Sequence, residues 1–182
     1  MKYLQQKLYQ YDIVFGILSL ILGGFLYVLY EWTGHHSFIG LIAPVNGSTW
    51  EQLKILFFPI LLFSILEYCL IGHHFSAFIT ARTIGSLSGL FAAVILYYTY
   101  TGILGVAYLW LNAGVFFFST ALCYLVTWHY IAKRKTGNIY TNLLCICFLI
   151  GVVYVFIRFT HKPPSMNLFH STDAKFVIHM RP

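Results

Sequence analysis

Residues 48–71, STWEQLKILFFPILLFSILEYCLI, join a short charged motif to a long apolar run. The motif, from Ser48 to Lys54, places two opposite charges and a tryptophan at the start of that apolar run. The apolar part is long enough to cross a bilayer as a helix. This stretch therefore predicts a membrane helix and also supplies the first candidate site.

The composition extends this prediction to the whole chain. Of its 182 residues, 59% are hydrophobic and only 9% are charged, against about 25% charged in soluble proteins. We expect an all-α fold, a polytopic integral membrane bundle of about five transmembrane helices. The predicted spans are Ile13–Tyr30, Ile55–Ile71, Ile79–Tyr100, Leu104–Tyr130 and Thr141–Phe159.

The regions between and after the spans complete the predicted organisation. Residues 35–46 contain an apolar run too short to cross, followed by Pro44, which predicts a short re-entrant or interfacial segment after the first helix. Residues 1–162 should form a single transmembrane helical domain. Pro163 and Pro164 end the last helix, so residues 163–182 should be a short polar tail.

The distribution of basic residues predicts the orientation. One predicted side holds Lys2, Lys7, Arg82, Lys133, Arg134 and Lys135. Positive charge favours the cytoplasmic side and the first helix usually dominates, so we expect a cytoplasmic N-terminus in a bacterial plasma membrane. Arg158, Lys162, Lys175 and Arg181 oppose this assignment, because they would then lie outside.

The charged motif has two interpretations. In the structural one, Ser48 and Glu51 form a capping box, in which the Glu carboxylate reaches back to the Ser amide, and Lys54 pairs with Glu51 one turn along. In the functional one, the motif belongs to a polar outer vestibule for a cation or amine, or holds an acid–base pair. The ligand-binding residues would be Asn46, Trp50, Glu51, Lys54, Tyr98 and Tyr100, with His35, His36 and Thr101 nearby.

Two ionisable residues lie inside predicted spans. If the second and third helices form a hairpin near His73 and His74, Glu67 and Arg82 lie at similar depth and should approach within ion-pair distance. Charges within spans are costly and are usually paired or functional. The pair is either a structural brace or a gate or substrate anchor.

Small residues recur every four positions on the third span, at Ala81, Gly85, Gly89 and Ala93. This spacing lets another helix backbone approach closely. It favours helix packing within the bundle, with a homo-oligomer or a membrane-protein partner as the alternative.

The sequence favours no metal, cofactor or nucleic-acid partner. The paired histidines, His35-His36 and His73-His74, lie on opposite predicted sides and cannot share an ion. The four cysteines lie in apolar runs, where cysteine behaves as a small hydrophobe. The net charge of +6 is spread over termini and loops, which topology explains better than a polyanion does.

The stretch from Pro44 to Lys54, Pro-Val-Asn-Gly-Ser-Thr-Trp-Glu-Gln-Leu-Lys, resembles an uncharacterised bacterial family of small multi-pass membrane proteins. That family's motif reads Pro-Val-Asn-x-Ser-x-Trp-Glu-x-Leu-Lys. This chain has Gly47 where the family tends to have Glu, and Gln52 where it tends to have His. The resemblance implies the multi-pass topology and no activity, and the two departures weaken an acid–base or metal role here.

Three functions remain open at this point. The first is a small transport or ligand-binding component with its site in the outer vestibule, for a small molecule or an ion. The second is an accessory or assembly subunit of a membrane complex, without chemistry of its own. The third, an intramembrane metal-dependent enzyme, has the least support in the residues.

Overall fold

The computed structural model describes residues 2–133, 137–166 and 168–169, and within them the chain is all helical, without strands. The five helices are α1 (Lys2–Trp32), α2 (Thr49–Leu70), α3 (Phe78–Leu104), α4 (Leu109–Lys133) and α5 (Ile139–His161). All five are long and apolar enough to cross a membrane. The prediction of an all-α, five-helix membrane bundle is confirmed, and the chain is a multi-pass membrane protein.

Successive helices run in opposite directions, because each is long enough to cross and the connections are short. One end of the bundle, which we call the N-terminal end, holds the start of α1, the α2–α3 turn and the α4–α5 connection. The opposite end holds the α1–α2 connection, the α3–α4 turn and the end of α5. The two histidine pairs therefore lie at opposite ends. Arg134, Lys135, Lys175 and Arg181, used to predict orientation, lie outside the described residues.

Helix α1 begins eleven positions before the predicted span, at Lys2 rather than Ile13. The sequence interpretation excluded this part because it is polar. Its buried positions nevertheless continue the helical period, since Leu8, Asp12, Phe15 and Ser19 all face the bundle. The polar residues between them lie on the outer face, so the amphipathic start of α1 is part of the same helix.

The other helix ends have local causes. Ser48 caps α2, which therefore begins at Thr49, six positions before the predicted span. Gly105 adopts a left-handed conformation (φ 72°) and ends α3, so α4 begins only at Leu109.

The connection between α1 and α2 contains a single 3₁₀ turn, Ile39–Leu41, where a re-entrant or interfacial segment was predicted. The chain reverses at Gly34 and His35, both with positive φ. Gly40 and Ala43 are buried against the helices, while Phe38 is 75% exposed. The connection is thus a folded loop over the opposite end.

Helices α3 and α4 form the most extensively packed pair, and Gly85 and Gly89 of α3 lie in their interface. A side-chain carbon added at Gly85 would collide with the Cys123 carbonyl oxygen, and one at Gly89 would lie 2.8 Å from the Ser119 carbonyl oxygen. The part of the α3 stripe around Gly85 and Gly89 is thus covered by α4 rather than open to a second chain. Ala81 is also buried, in a cluster with Leu8, Ile71, Phe78 and Ile131.

Helix α5 packs mainly on α3 and is the most exposed of the five, with Phe156 as its buried residue. Thr80 of α3 donates a 2.8 Å hydrogen bond to Asn142 of α5 at the N-terminal end. Near the opposite end, the chain after α5 folds back, and the Trp50 amide donates to the Leu168 carbonyl oxygen at 3.1 Å. The beginning of the predicted polar tail thus contacts the start of α2.

Candidate functional site

The turn before α2 is held by two short side chains. The Ser48 hydroxyl accepts a hydrogen bond from the Glu51 amide at 3.3 Å, which is the expected helix cap. The Ser48 amide donates to Asn46 Oδ1 at 2.9 Å. Asn46 therefore takes the place that the Glu carboxylate has in a full capping box, and only half of the predicted box is present.

The Glu51 carboxylate makes other contacts instead of completing the capping box. Its Oε2 accepts from the Val45 amide at 3.0 Å and from the Lys54 ammonium at 2.6 Å. Its Oε1 lies 3.1 Å from the Thr160 hydroxyl of α5. Lys54 also donates to the Gly40 carbonyl oxygen at 2.8 Å. Glu51 and Lys54 thus join α2 to the α1–α2 loop and to α5.

This network is shielded from water. Lys54 is 0% exposed and Glu51 is 3% exposed. A buried ion pair is tolerated when additional hydrogen bonds satisfy its remaining polar atoms, as they do here. The geometry is that of a structural brace.

Trp50 faces α5 and the returning chain. Its ring centroid lies 4.7 Å from that of Phe156, 5.6 Å from Phe159 and 4.9 Å from Phe169. Four aromatic rings therefore close this side of the bundle, and Trp50 serves as their common contact.

A cavity of about 710 Å³ opens on the other side of α2, at the opposite end of the bundle. It lies between α1, α2, α3 and α4, below the α1–α2 loop. Buried apolar side chains such as Leu53 and Leu56 form its floor, and exposed polar residues form its rim. Polar or titratable side chains in its lining are Tyr27, Tyr30, Glu31, His35, Asn46, Thr49, Gln52, Tyr97 and Asn112. A volume of this size is typical of small-molecule sites.

The structure brings only one of the six predicted ligand-binding residues to this cavity, Asn46. Thr49, Gln52, Leu53 and Leu56 share the α2 face that lines it, at the spacing of one helix face. Trp50, Glu51 and Lys54 are not in that lining. These three side chains have the protein contacts described above, on other faces of the same helix.

The two predicted tyrosines lie beside the cavity rather than in it. The Tyr100 hydroxyl donates to Asn112 Oδ1, which joins α3 to α4. Tyr98 is 42% exposed and packs edge-on against Tyr97. Tyr97 is buried and lines the cavity.

Sequence reasoning missed Glu31, Gln52 and Tyr97 as cavity residues. The available signal was the helical period from Thr49, which places Gln52 one turn along the same face. For Glu31 and Tyr97 the signal was weaker, because their position in the cavity lining depends on how the ends of α1 and α3 pack.

A second buried charged group lies nearer the N-terminal end. Arg82 Nη2 lies 2.5 Å from Glu67 Oε2 and 2.8 Å from Asp12 Oδ1. The structure thus brings Glu67 and Arg82 together, as the hairpin spacing requires, and adds Asp12 of α1 as a third member. Tyr124 of α4 covers the guanidinium, with its ring centroid 4.4 Å from Arg82 Cζ. All three charged residues are at most 3% exposed.

In the described part of the chain, no three His, Cys, Asp or Glu side chains come together to hold a metal ion. Asp12 and Glu67 are two acids that both contact one guanidinium.

Comparison with known proteins adds a family without an activity. The model of a family described as "Family of unknown function (DUF6512)" matches residues 1–177, nearly the whole chain. No curated protein and no solved structure matches the chain. The prediction of an uncharacterised family is confirmed, whereas its quoted motif and its bacterial origin stay predictions.

Proposed function

The chain belongs to this family of unknown function, DUF6512, and we propose from the geometry of the cavity that it is a small transport or ligand-binding component. The observation that carries this proposal is the cavity of about 710 Å³ between four helices. The proposed membrane is the plasma membrane, with a cytoplasmic N-terminus, which would place the cavity at the outer face.

Unused hydrogen-bonding groups in the cavity support a ligand. Asn46 and Asn112 each use the side-chain oxygen, and their Nδ2 groups have no partner among the described residues. Gln52 has one distant contact, 3.5 Å from Nε2 to the Gly47 carbonyl oxygen, and its Oε1 is free within the described chain. A few polar groups over an apolar floor are typical of small-molecule sites.

The charge of the lining favours a small organic cation. Glu31 is the acidic residue of the cavity lining, which contains no lysine or arginine among the described residues, and Lys54 is paired with Glu51 outside that lining. Tyr27, Tyr30 and Tyr97 contribute aromatic rings, which attract ammonium groups. Acid and aromatic side chains together suit a quaternary or primary ammonium of small size.

Choline and dimethylbutanol, its uncharged carbon isostere, test both parts of the proposal. Equilibrium dialysis of the purified protein in neutral-lipid nanodiscs should show saturable choline binding that excess dimethylbutanol displaces only weakly. Glu31→Gln should weaken choline binding by about tenfold, the factor that corresponds to the loss of one favourable charge contact of modest strength. Glu31 is exposed, so this variant should fold normally.

The outcomes separate the ligand class from the function. Equal binding of choline and its isostere would keep a ligand site and overturn the cationic class. Binding of neither compound, together with no stabilisation by a panel of small metabolites, would overturn the proposed function. That result would favour the accessory or assembly subunit, which needs no solvated ligand site.

A further inference from the structure

The cluster of Asp12, Glu67 and Arg82 holds two carboxyl groups against one guanidinium. Both carboxyl groups contact the same nitrogen, Nη2 of Arg82. Among the described residues, no second cation pairs with either acid. With all three groups ionised, the cluster carries one uncompensated negative charge in a buried position, and buried charge without compensation is costly.

The cluster also has polar atoms without partners. Asp12 Oδ2 and Glu67 Oε1 are buried and make no hydrogen bond within the described chain, and the same holds for Arg82 Nε and Nη1. Glu67 is enclosed, with 0% exposure. Asp12, by contrast, lines a second cavity.

That second cavity, of about 240 Å³, lies between α1 and α4 and shares no lining residue with the first. Its rim is apolar and faces outward, since Ile13, Ile17, Phe117 and Leu125 are 46–61% exposed within membrane-crossing helices. The cavity therefore opens towards lipid, and Asp12 is the acidic residue of its lining.

Two other polar groups in this lining, the hydroxyls of Tyr124 and Thr120, already have partners. The Tyr124 hydroxyl is hydrogen-bonded to the Ser19 hydroxyl at 2.8 Å. The Thr120 hydroxyl donates to the Phe116 carbonyl oxygen at 2.9 Å. Asp12 Oδ2 is thus the buried acceptor of this lining that still lacks a donor.

We propose that the α1–α4 cavity is a second binding site, for the ammonium head of a single-chain amphiphilic amine that enters from the lipid. The ammonium would donate to Asp12 Oδ2 and balance the extra negative charge, while the alkyl chain would lie between Ile13, Ile17 and Leu125. A charge-assisted hydrogen bond in an apolar setting favours the amine over a neutral head. An anionic head would add a third negative charge and is excluded. This site is independent of the proposed function of the first cavity.

Octylamine and octanol, which share a chain and differ in the charge of the head, test the site. Thermal unfolding is followed in phosphatidylcholine nanodiscs at matched membrane-bound concentrations, because a ligand that binds the folded state raises the unfolding temperature. Octylamine should raise the unfolding temperature saturably, at a membrane-bound concentration about tenfold lower than octanol needs for the same rise. Asp12→Asn should remove this difference between the two compounds.

Gly16→Leu provides a test that leaves the charged cluster intact. Gly16 lines the cavity, and a carbon added there meets the Tyr124 ring at an ordinary 3.5 Å, so the larger side chain should fill the cavity without collision. It should abolish stabilisation by octylamine. Gly151→Leu, on an exposed face of α5 with open space around it, is the matched control and should bind octylamine like the unmodified protein.

Two results would overturn the proposal. Equal stabilisation by octylamine and octanol would mean that the cavity is merely apolar and that a proton held by the two acids balances the cluster. Undiminished stabilisation of Gly16→Leu by octylamine would place the amine elsewhere in the protein.

Discussion

Lys54 has no exposure to solvent, yet its ammonium has two oxygen partners, from Glu51 and from the backbone of Gly40. The ammonium charge is thus neutralised inside the protein and is not offered to a ligand. Glu51 in turn accepts from Val45 and Thr160, so a single carboxylate holds the loop and α5 against α2. Within the Ser48–Lys54 motif, Glu51 and Lys54 therefore form a structural contact between α2, the α1–α2 loop and α5.

Replacing Lys54 by Met should destabilise the protein strongly. Met fills a similar volume but leaves the Glu51 carboxylate buried without its cation, and breaking a buried pair costs about 3–5 kcal/mol. The double variant Lys54→Met, Glu51→Gln should be less destabilised than the single one. Reversible unfolding in mixed micelles measures both, with Gln52→Met as a control on the same helix. A loss below about 1 kcal/mol, the scale of exposed pairs, would contradict the brace.

The Asp12, Glu67 and Arg82 cluster predicts unequal effects of its own variants. Arg82→Met leaves two buried carboxyl groups without their guanidinium and should cost about 3–5 kcal/mol of unfolding free energy. Asp12→Asn removes one of the two acids and keeps the Glu67–Arg82 contact, so its cost should be nearer the roughly 0.5–1.5 kcal/mol of one hydrogen bond. Equal destabilisation by the two variants, measured in the same micelles, would contradict a cluster with one acid in excess.

At the scale of elements, helix existence and pairing were predictable, whereas helix faces were not. The Glu67–Arg82 contact followed from two spans joined by a tight turn, because equal distances from the turn mean equal depth. Asp12 was missed because it was placed before the first span, although its spacing to Phe15 and Ser19 fits the buried face of α1.

The α2 motif shows the same limit. The sequence predicted the Ser48 cap, which is local, but not which face of α2 meets the cavity. That face depends on how α1, α3 and α4 pack around a helix that is apolar on most sides. Glu51 and Lys54 therefore had to be placed by tertiary contacts, and the structure turns them to the loop and α5.

Replacement by alanine should affect stability differently at two glycines, because Gly85 lies against α4 and Gly114 lies in open space. Gly85→Ala should lower the free energy of unfolding by about 1–3 kcal/mol, because the added carbon collides with the α4 backbone at Cys123. Gly114→Ala should be neutral or stabilising by up to about 1 kcal/mol, since it lies in open space on a helix. Chemical unfolding of the two variants side by side checks this. A neutral Gly85→Ala would mean that α3 and α4 are not in close contact there.

At the scale of the whole molecule, the charged residues divide the bundle into braced and open regions. Glu51 and Lys54 fix one side of the opposite end, and the aromatic contacts of Trp50 close it. The other side of the same end stays open as the cavity between α1, α2, α3 and α4. The braced side supports the side that we propose to bind a ligand.

The most direct measurement of the central claim is choline binding to a protein whose cavity has been filled. Gly24 lines the cavity and has open space beside it, so Gly24→Phe should occupy the cavity without disturbing the fold. Gly114→Phe, in open space outside the cavity lining, is the matched control. Equilibrium dialysis should show saturable choline binding to the unmodified protein and to Gly114→Phe, and none to Gly24→Phe. Unchanged choline binding to Gly24→Phe would contradict the account.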